Sequence, residues 1–235
     1  MMLIAHQGAS AVAPENTIAA IKEALFVGVD FVEVDVRLSK DQVPVLMHDA
    51  SLARTTDCKE PTLVENLTLQ ELKQLDAGSW FDQRYKGEKI PTLEEAAQLD
   101  FGTSGFFVEI KEGIFPPKTI VSSITNALKN RNADLNIGTL SLEICDELLT
   151  VAEEQNWLVV GIISREEMLM PFRQKGLKRL AIRYDLLNPT LIQMIHEEGS
   201  EVWAFTIDDL EKARFLHSIH VDGILTNSPR KLISA

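Results

Sequence analysis

The sequence predicts an α/β fold: a (β/α)8 TIM barrel with a small insertion after its second barrel strand. Three observations carry that expectation. Eight short apolar runs alternate with amphipathic, helix-spaced stretches along the 235 residues, a pattern that implies a parallel sheet and a length that suits such a barrel. No glycine fingerprint follows any of these runs, which counts against an open, doubly wound sheet. Only the stretch at about 50–90 breaks the rhythm, so the chain is expected to be one barrel domain over 1–235 carrying that insertion.

The elements follow in order. Leu3–His6 is the first strand, and Gln7-Gly8 makes a sharp exit from it. Asn16 and Thr17 have the character of an N-cap for the helix-like Thr17–Val27, with Pro14 just before. Phe31–Arg37 is the second strand, and Val43–Met47 pairs back on it through the Lys40-Asp41-Gln42 turn. The insertion holds Thr55-Thr56-Asp57, a helix-like Leu69–Leu75 and Gly78-Ser79-Trp80-Phe81, where Trp80 and Phe81 are expected to anchor it. The remaining strands are Phe106–Lys111, Asn136–Leu140, Trp157–Ile163, Lys178–Arg183, Glu201–Thr206 and Val221–Thr226. Helix-like Pro117–Lys129, Leu142–Glu154, Arg165–Gln174, Thr190–Glu198 and Asp209–Ser218 lie between them.

Composition and charge narrow the function. Apolar residues make up 45% and charged residues 25%, an ordinary globular balance. The longest apolar stretch, Leu158–Ile163, is far short of a bilayer span. With 23 basic against 35 acidic residues the net charge is −12, which leaves no electrostatic footprint for nucleic acid or an anionic membrane. Neither a nucleic-acid partner nor stable membrane association is therefore expected, and an anionic substrate must be drawn in by a metal or a few placed cations. Cys58 and Cys145 form neither a zinc spacing nor a disulfide framework. Met1–His6 has neither a basic region nor a long apolar core, so the cytoplasm is the expected compartment.

Strand parity locates the chemistry. Val32, Val34, Val36 and Leu38 share one face of the second strand, suited to packing against outer helices, which turns Glu33 and Asp35 inward. In Phe106–Lys111 the same alternation turns Phe107, Glu109 and Lys111 inward. Three carboxylates aimed into one region repel unless compensated. A divalent cation would compensate them, and all-oxygen ligation favours Mg, Ca or Mn over zinc. A buried salt network with Lys111 and Arg37 would serve equally. His6 and His48 each end a strand, where catalytic groups of such barrels collect. A lone strand-end histidine is more often structural, but two beside a metal suit a general base and a general acid. Trp203, sharing a face with Phe205, either lines the pocket or fills the barrel.

Ala5-His6-Gln7-Gly8, Pro14-Glu15-Asn16-Thr17, Glu33-Val34-Asp35-Val36, His48-Asp49 and Asp76-Ala77-Gly78-Ser79-Trp80-Phe81 together resemble the motifs of the glycerophosphodiester phosphodiesterase family. Ile90-Pro91-Thr92-Leu93, Glu109-Ile110-Lys111 and Asp222-Gly223-Ile224-Leu225-Thr226 extend the resemblance in order to about residue 229. It implies a (β/α)8 barrel that hydrolyses a small-molecule glycerophosphodiester to an alcohol and glycerol 3-phosphate. It further implies Glu33, Asp35 and Glu109 as ligands of one divalent cation, Mg or Ca with Mn also compatible. His6 and His48 become the acid/base pair, and Lys111 a phosphate-binding cation. Gln7 stands where the family usually has an arginine that binds the phosphate, and Asn227 where it often has Asp. Gln7 cannot offer a guanidinium's bidentate fork, so a working but weaker enzyme is expected. A lyase-type relative releasing cyclic phosphate and a non-catalytic phosphodiester binder are the alternatives.

Overall fold

Alternation along the strands separates two apolar cores. Outward-facing Val32, Val34, Val36, Phe106, Val108 and Ile110 join the cluster that packs the sheet against its helices. Inward-facing Ile4, Phe107, Val160, Ile162, Ala181, Trp203 and Leu225 fill the barrel. Strands buried on both faces in this way belong to parallel sheets. The computed structural model describes residues 1–131 and 133–233; the last two residues of the expected 1–235 span lie outside them.

Among the described residues nine strands form the sheet. They are β1 (Met2–Ala5), β2 (Phe31–Leu38), β3 (Pro44–Leu46), β4 (Gly105–Ile110), β5 (Leu135–Thr139), β6 (Leu158–Ile163), β7 (Arg179–Arg183), β8 (Glu201–Phe205) and β9 (Gly223–Thr226). All except β3 are parallel, and β1 closes the barrel by pairing with both β2 and β9. β3 runs antiparallel to β2, opposing Leu46 to Val36 and Pro44 to Leu38. Val36 also opposes Ile110 of β4, so β3 occupies the β2 edge that β1 leaves beyond Ala5.

The helices are α1 (Ile18–Val27), α2 (Leu69–Leu72), α3 (Leu93–Ala97), α4 (Pro117–Ala127), α5 (Leu142–Gln155), α6 (Leu169–Arg173), α7 (Pro189–Glu197), α8 (Leu210–Ser218) and α9 (Pro229–Ile233). α3, the barrel helix between β2 and β4, is only five residues long, too short to display a helical period in the sequence. A capping box starts it, with the Thr92 hydroxyl bonded to Glu95 N and the Glu95 carboxylate to Thr92 N. The helix-like Arg165–Gln174 is a turn of 3₁₀ helix at Glu166–Met168 running into α6. Residues 50–90 contribute their own apolar cluster, in which Leu52, Val64, Leu72, Ala77 and Ile90 pack on Val45 and Met47. Among the described residues no helix is long and apolar enough to cross a membrane.

Candidate active site

At the C-terminal ends of the strands, one oxygen each from Glu33, Asp35 and Glu109 lies within 4.8 Å of the others, and all three residues are buried. Register explains the meeting, because Asp35 opposes Glu109 across β2 and β4 and Glu33 lies two residues back on the same face. Lys111, just past β4, places Nζ 2.9 Å from Asp35 Oδ1 and also pairs with Glu109 Oε1. Both sequence readings of the carboxylates are thus partly visible: a salt network exists, and it leaves acceptors over. Among the described residues Glu33 Oε1 is buried without a hydrogen-bond partner, and Asp35 Oδ1 has the ion pair but no aligned hydrogen bond.

Protonation follows the surroundings. Burial, then the charges of Asp35 and Glu109, pushes the Glu33 carboxyl well above the usual carboxylate range. Burial and Asp35 also push Glu109 up, against the pull of Lys111. Burial acts on Asp35 in the same sense, but the Lys111 ammonium and the two histidines outweigh it and hold Asp35 at about 2. Lys111 is driven above its ordinary value because its two carboxylate partners outweigh burial. One lysine is therefore shared among three carboxylates.

The turn after β1 grips this cluster. Gln7, at φ 58°, donates from its backbone N to Glu33 Oε2 and from Nε2 to Asp35 Oδ2, both at 2.7 Å. Gly8, at φ 78°, lies so close to Ala20 that a Cβ would fall 2.6 Å from the Ala20 carbonyl carbon, so only glycine fits. Thr17 is the N-cap of α1, accepting from Ala20 N. Asn16 has a different task from the cap the sequence suggests. At φ 57° its Nδ2 donates to Asp35 Oδ2 and its Oδ1 accepts from Asp35 N. Asn16 and Gln7 together fix the Asp35 carboxylate on one side.

The two histidines arrive from different elements. His6 follows β1, with its N bonded to Thr226 O and its Nδ1 2.8 Å from Asn227 Oδ1. His48 is delivered by β3, whose antiparallel course brings Met47 N onto Asp35 O. Its Nδ1 lies 2.7 Å from Asp49 Oδ1, Asp49 Oδ2 accepts from Arg54 Nε at 2.6 Å, and Arg54 makes a bidentate pair with Glu15. Arg54 holds Asp49 down to about 2, keeping a carboxylate behind His48. Arg37, the other cation of the salt network the sequence suggests, has its guanidinium on the His48 and Glu112 carbonyls.

Six of the eight residues singled out in the sequence, Glu33, Asp35, Glu109, Lys111, Gln7 and His6, are joined directly or through the 6–7 turn, and His48 acts electrostatically on Asp35. Trp203 is the exception as a substrate-binding residue. It is 0% exposed, packs against Phe31 and Phe107 with Arg179 stacked 4.2 Å over its ring, and fills the barrel. Its partner across the sheet is Gly223, opposite Met2, at the N-terminal end of the strands. Parity sets the face a side chain takes but not its height along the barrel. Sequence reasoning did not find Asn16 as an Asp35 ligand, or Glu15, Arg54, Asp208 and Asn227 as partners behind the histidines. The Pro14-Glu15-Asn16-Thr17 run and Asn227 were the available signals.

The family model described as the Glycerophosphoryl diester phosphodiesterase family matches residues 6–231. A glycerophosphodiester phosphodiesterase of Caldanaerobacter subterraneus subsp. tengcongensis is 34% identical, covering 99% of this chain and 96% of its own. One from Bacillus subtilis is 28% identical over 97% of this chain and 84% of its own. Among solved structures, a phosphodiesterase of Oleispira antarctica in complex with the product sn-glycerol-3-phosphate superposes with a TM-score of 0.91 at 30% identity, covering 100% of this chain and 96% of that one. A glycerophosphodiester phosphodiesterase of Agrobacterium tumefaciens gives 0.78 at 27% identity, with both chains fully covered. Sequence and fold agree, and this chain belongs to the glycerophosphoryl diester phosphodiesterase family, as an enzyme of that class.

Proposed function

We propose that the chain hydrolyses glycerophosphodiesters to an alcohol and glycerol 3-phosphate at the mouth formed by Glu33, Asp35, Glu109, Lys111 and the two histidines, with residues 50–90 as an insertion of the one barrel domain. The observation that carries the reading is the surplus of buried carboxylate: three groups within 4.8 Å share one ammonium, and Glu33 Oε1 has no partner. A hard divalent cation fits that all-oxygen donor set, with Glu33, Asp35 and Glu109 as its ligands, and Mg or Ca suits it best. Bound there, such a cation supplies Lewis-acid polarisation of a phosphoryl oxygen.

The remaining chemistry belongs to the side chains. Gln7 and Asn16 hold Asp35 in one orientation, so the site is organised before substrate enters. Lys111 offsets charge developing on the phosphoryl oxygens. One histidine takes the proton of the attacking oxygen as its bond to phosphorus forms, and the other gives a proton to the alkoxide as the second P–O bond breaks. Asp49 steadies the His48 ring through its Nδ1.

A panel of glycerophosphodiesters assayed with and without a chelator, with products followed by phosphorus NMR, tests the proposal. Cation-dependent release of glycerol 3-phosphate is the expected result. Cyclic phosphate as the final product, or turnover that survives exhaustive chelation, would overturn it.

A further inference from the structure

Behind His6 lies a hydrogen-bond chain whose direction is fixed by a carboxylate two links away. Asp208 Oδ1 accepts from Asn227 N and from the Thr226 hydroxyl, each at 2.8 Å, and Asp208 Oδ2 accepts from Asn227 Nδ2 at 2.7 Å. A carboxylate only accepts, whereas an amide has one accepting and one donating end. The Asn227 amide must therefore turn its NH2 to Asp208 and its Oδ1 to His6, where Ser10 Oγ also lies at 2.9 Å. A carbonyl oxygen 2.8 Å from His6 Nδ1 is satisfied only if Nδ1 carries the hydrogen. In neutral His6 the lone pair then sits on Nε2.

From this geometry we infer that Asp208 and Asn227 are positioning residues for His6: acting in series, they fix its Nδ1–H tautomer through a neutral amide. The inference rests on the reading that His6 moves a proton in the reaction. It assigns Asp208, in the loop after β8, a task beyond tying that loop to the end of β9 through Thr226 and Asn227 N. His48 differs in kind, since its Nδ1 partner is itself a carboxylate.

The test exploits polarity. Asp208→Asn is nearly isosteric and keeps an oxygen for Asn227 N and Thr226, but presents an NH2 to the NH2 of Asn227. The Asn227 amide then flips, its NH2 faces His6 Nδ1, and the imidazole is forced to Nε2–H. Presenting a catalytic histidine in the wrong tautomer costs about 10⁴-fold in kcat in the serine-protease triad. Here a fall of at least about 10²-fold in kcat is expected, the lower bound for a positioned acid/base group, with KM little changed. The double variant Asp208→Asn/Asn227→Asp restores an acceptor at His6 and a donor–acceptor pair behind it, so it is expected to recover most of that loss. Nitrogen-15 shifts of the His6 imidazole in the wild-type protein are expected to show Nδ1–H, whatever the variants do to folding.

The inference falls, with the proposed function left standing, on a neutral His6 found as Nε2–H or on folded Asp208→Asn at wild-type kcat while His6→Ala is inactive. Failure of the folded double variant to recover activity would overturn it in the same way. Wild-type turnover by His6→Ala would sink both this inference and the proposed role of His6.

Discussion

Removing the divalent cation is expected to cost stability, and to cost more as pH rises. The structure sets the scale. Two unit negative charges 4.8 Å apart repel by about 3.5 kcal/mol at an effective dielectric constant of about 20, and Glu33, Asp35 and Glu109 lie within that distance of one another. Lys111 relieves Asp35 and Glu109 but has no pair with Glu33. Protons are the other relief. The carboxyl of Glu33 is raised by burial and by its two acidic neighbours, and that of Glu109 by burial and Asp35. A carboxyl raised in the folded state favours folding while protonated, and that contribution is lost as pH climbs through the folded value. Asp35, held at about 2, behaves oppositely: its contribution stays intact until strongly acidic pH. The chelated protein should therefore lose stability at this site above the ordinary carboxylate range, where a cation competes least with protons. A cation at 100 times its dissociation constant adds about 2.7 kcal/mol, which at about 2–4 °C per kcal/mol for a chain of this size is about 5–11 °C in Tm. Thermal unfolding followed by circular dichroism at pH 5 and pH 8, with chelator or with millimolar Mg, Ca or Mn, measures it. A shift below about a degree with every cation at pH 8, or an equal shift at both pH values, would refute the account.

Other variants separate the roles of single residues. His48→Ala should lower kcat by about 10²–10⁴-fold while leaving the circular dichroism spectrum and Tm near wild type; an unfolded variant or normal turnover would make His48 structural. Gln7→Arg adds a positive charge beside Asp35, and since a hydrogen bond to a charged group contributes about 1.5–3 kcal/mol, kcat/KM should rise by about 10–150-fold. An unchanged or lower kcat/KM in a folded Gln7→Arg protein would refute the reading that glutamine in place of the phosphate-binding arginine weakens the enzyme. Trp203→Ala should cost about 3–5 kcal/mol of stability in denaturant melts as a cavity in the barrel filling, with KM unchanged in the folded fraction; a raised KM without lost stability would return Trp203 to the substrate.

Much of the barrel was legible because strands buried on both faces and amphipathic helices leave different periods in the sequence. Parity alone put Glu33, Asp35, Glu109 and Lys111 on one face, and the register of β2 against β4 turned that face into a cluster. The five-residue α3 was hidden because its length falls short of two helical turns. The height of Trp203 was hidden because alternation carries no information about level. Asn16 reads locally as a cap, and only the left-handed backbone before α1 frees its amide for Asp35. The partners of the histidines were hidden for a simpler reason. Asn227 is 221 residues from His6 and Arg54 is 39 from Glu15, and neither separation leaves a periodic trace.

The separation between His6 and Asn227 also bears on how activity is gained during folding. β1 finds β9 only when the ends of the barrel meet, and His6 N on Thr226 O is part of that seam. Local helices and neighbouring βα units can form while the seam is open, because their contacts are close in the chain; closure brings together residues with the largest loop entropy to overcome. The carboxylate cluster needs only the β2–β4 pairing, whereas the His6–Asn227 contact needs the two ends of the barrel to meet. The proposed cation site thus depends on one strand pair, and the proposed acid/base role of His6 on closure of the ring. On the proposed role of His6, turnover requires the closed ring, and in refolding its return should lag behind the return of secondary structure.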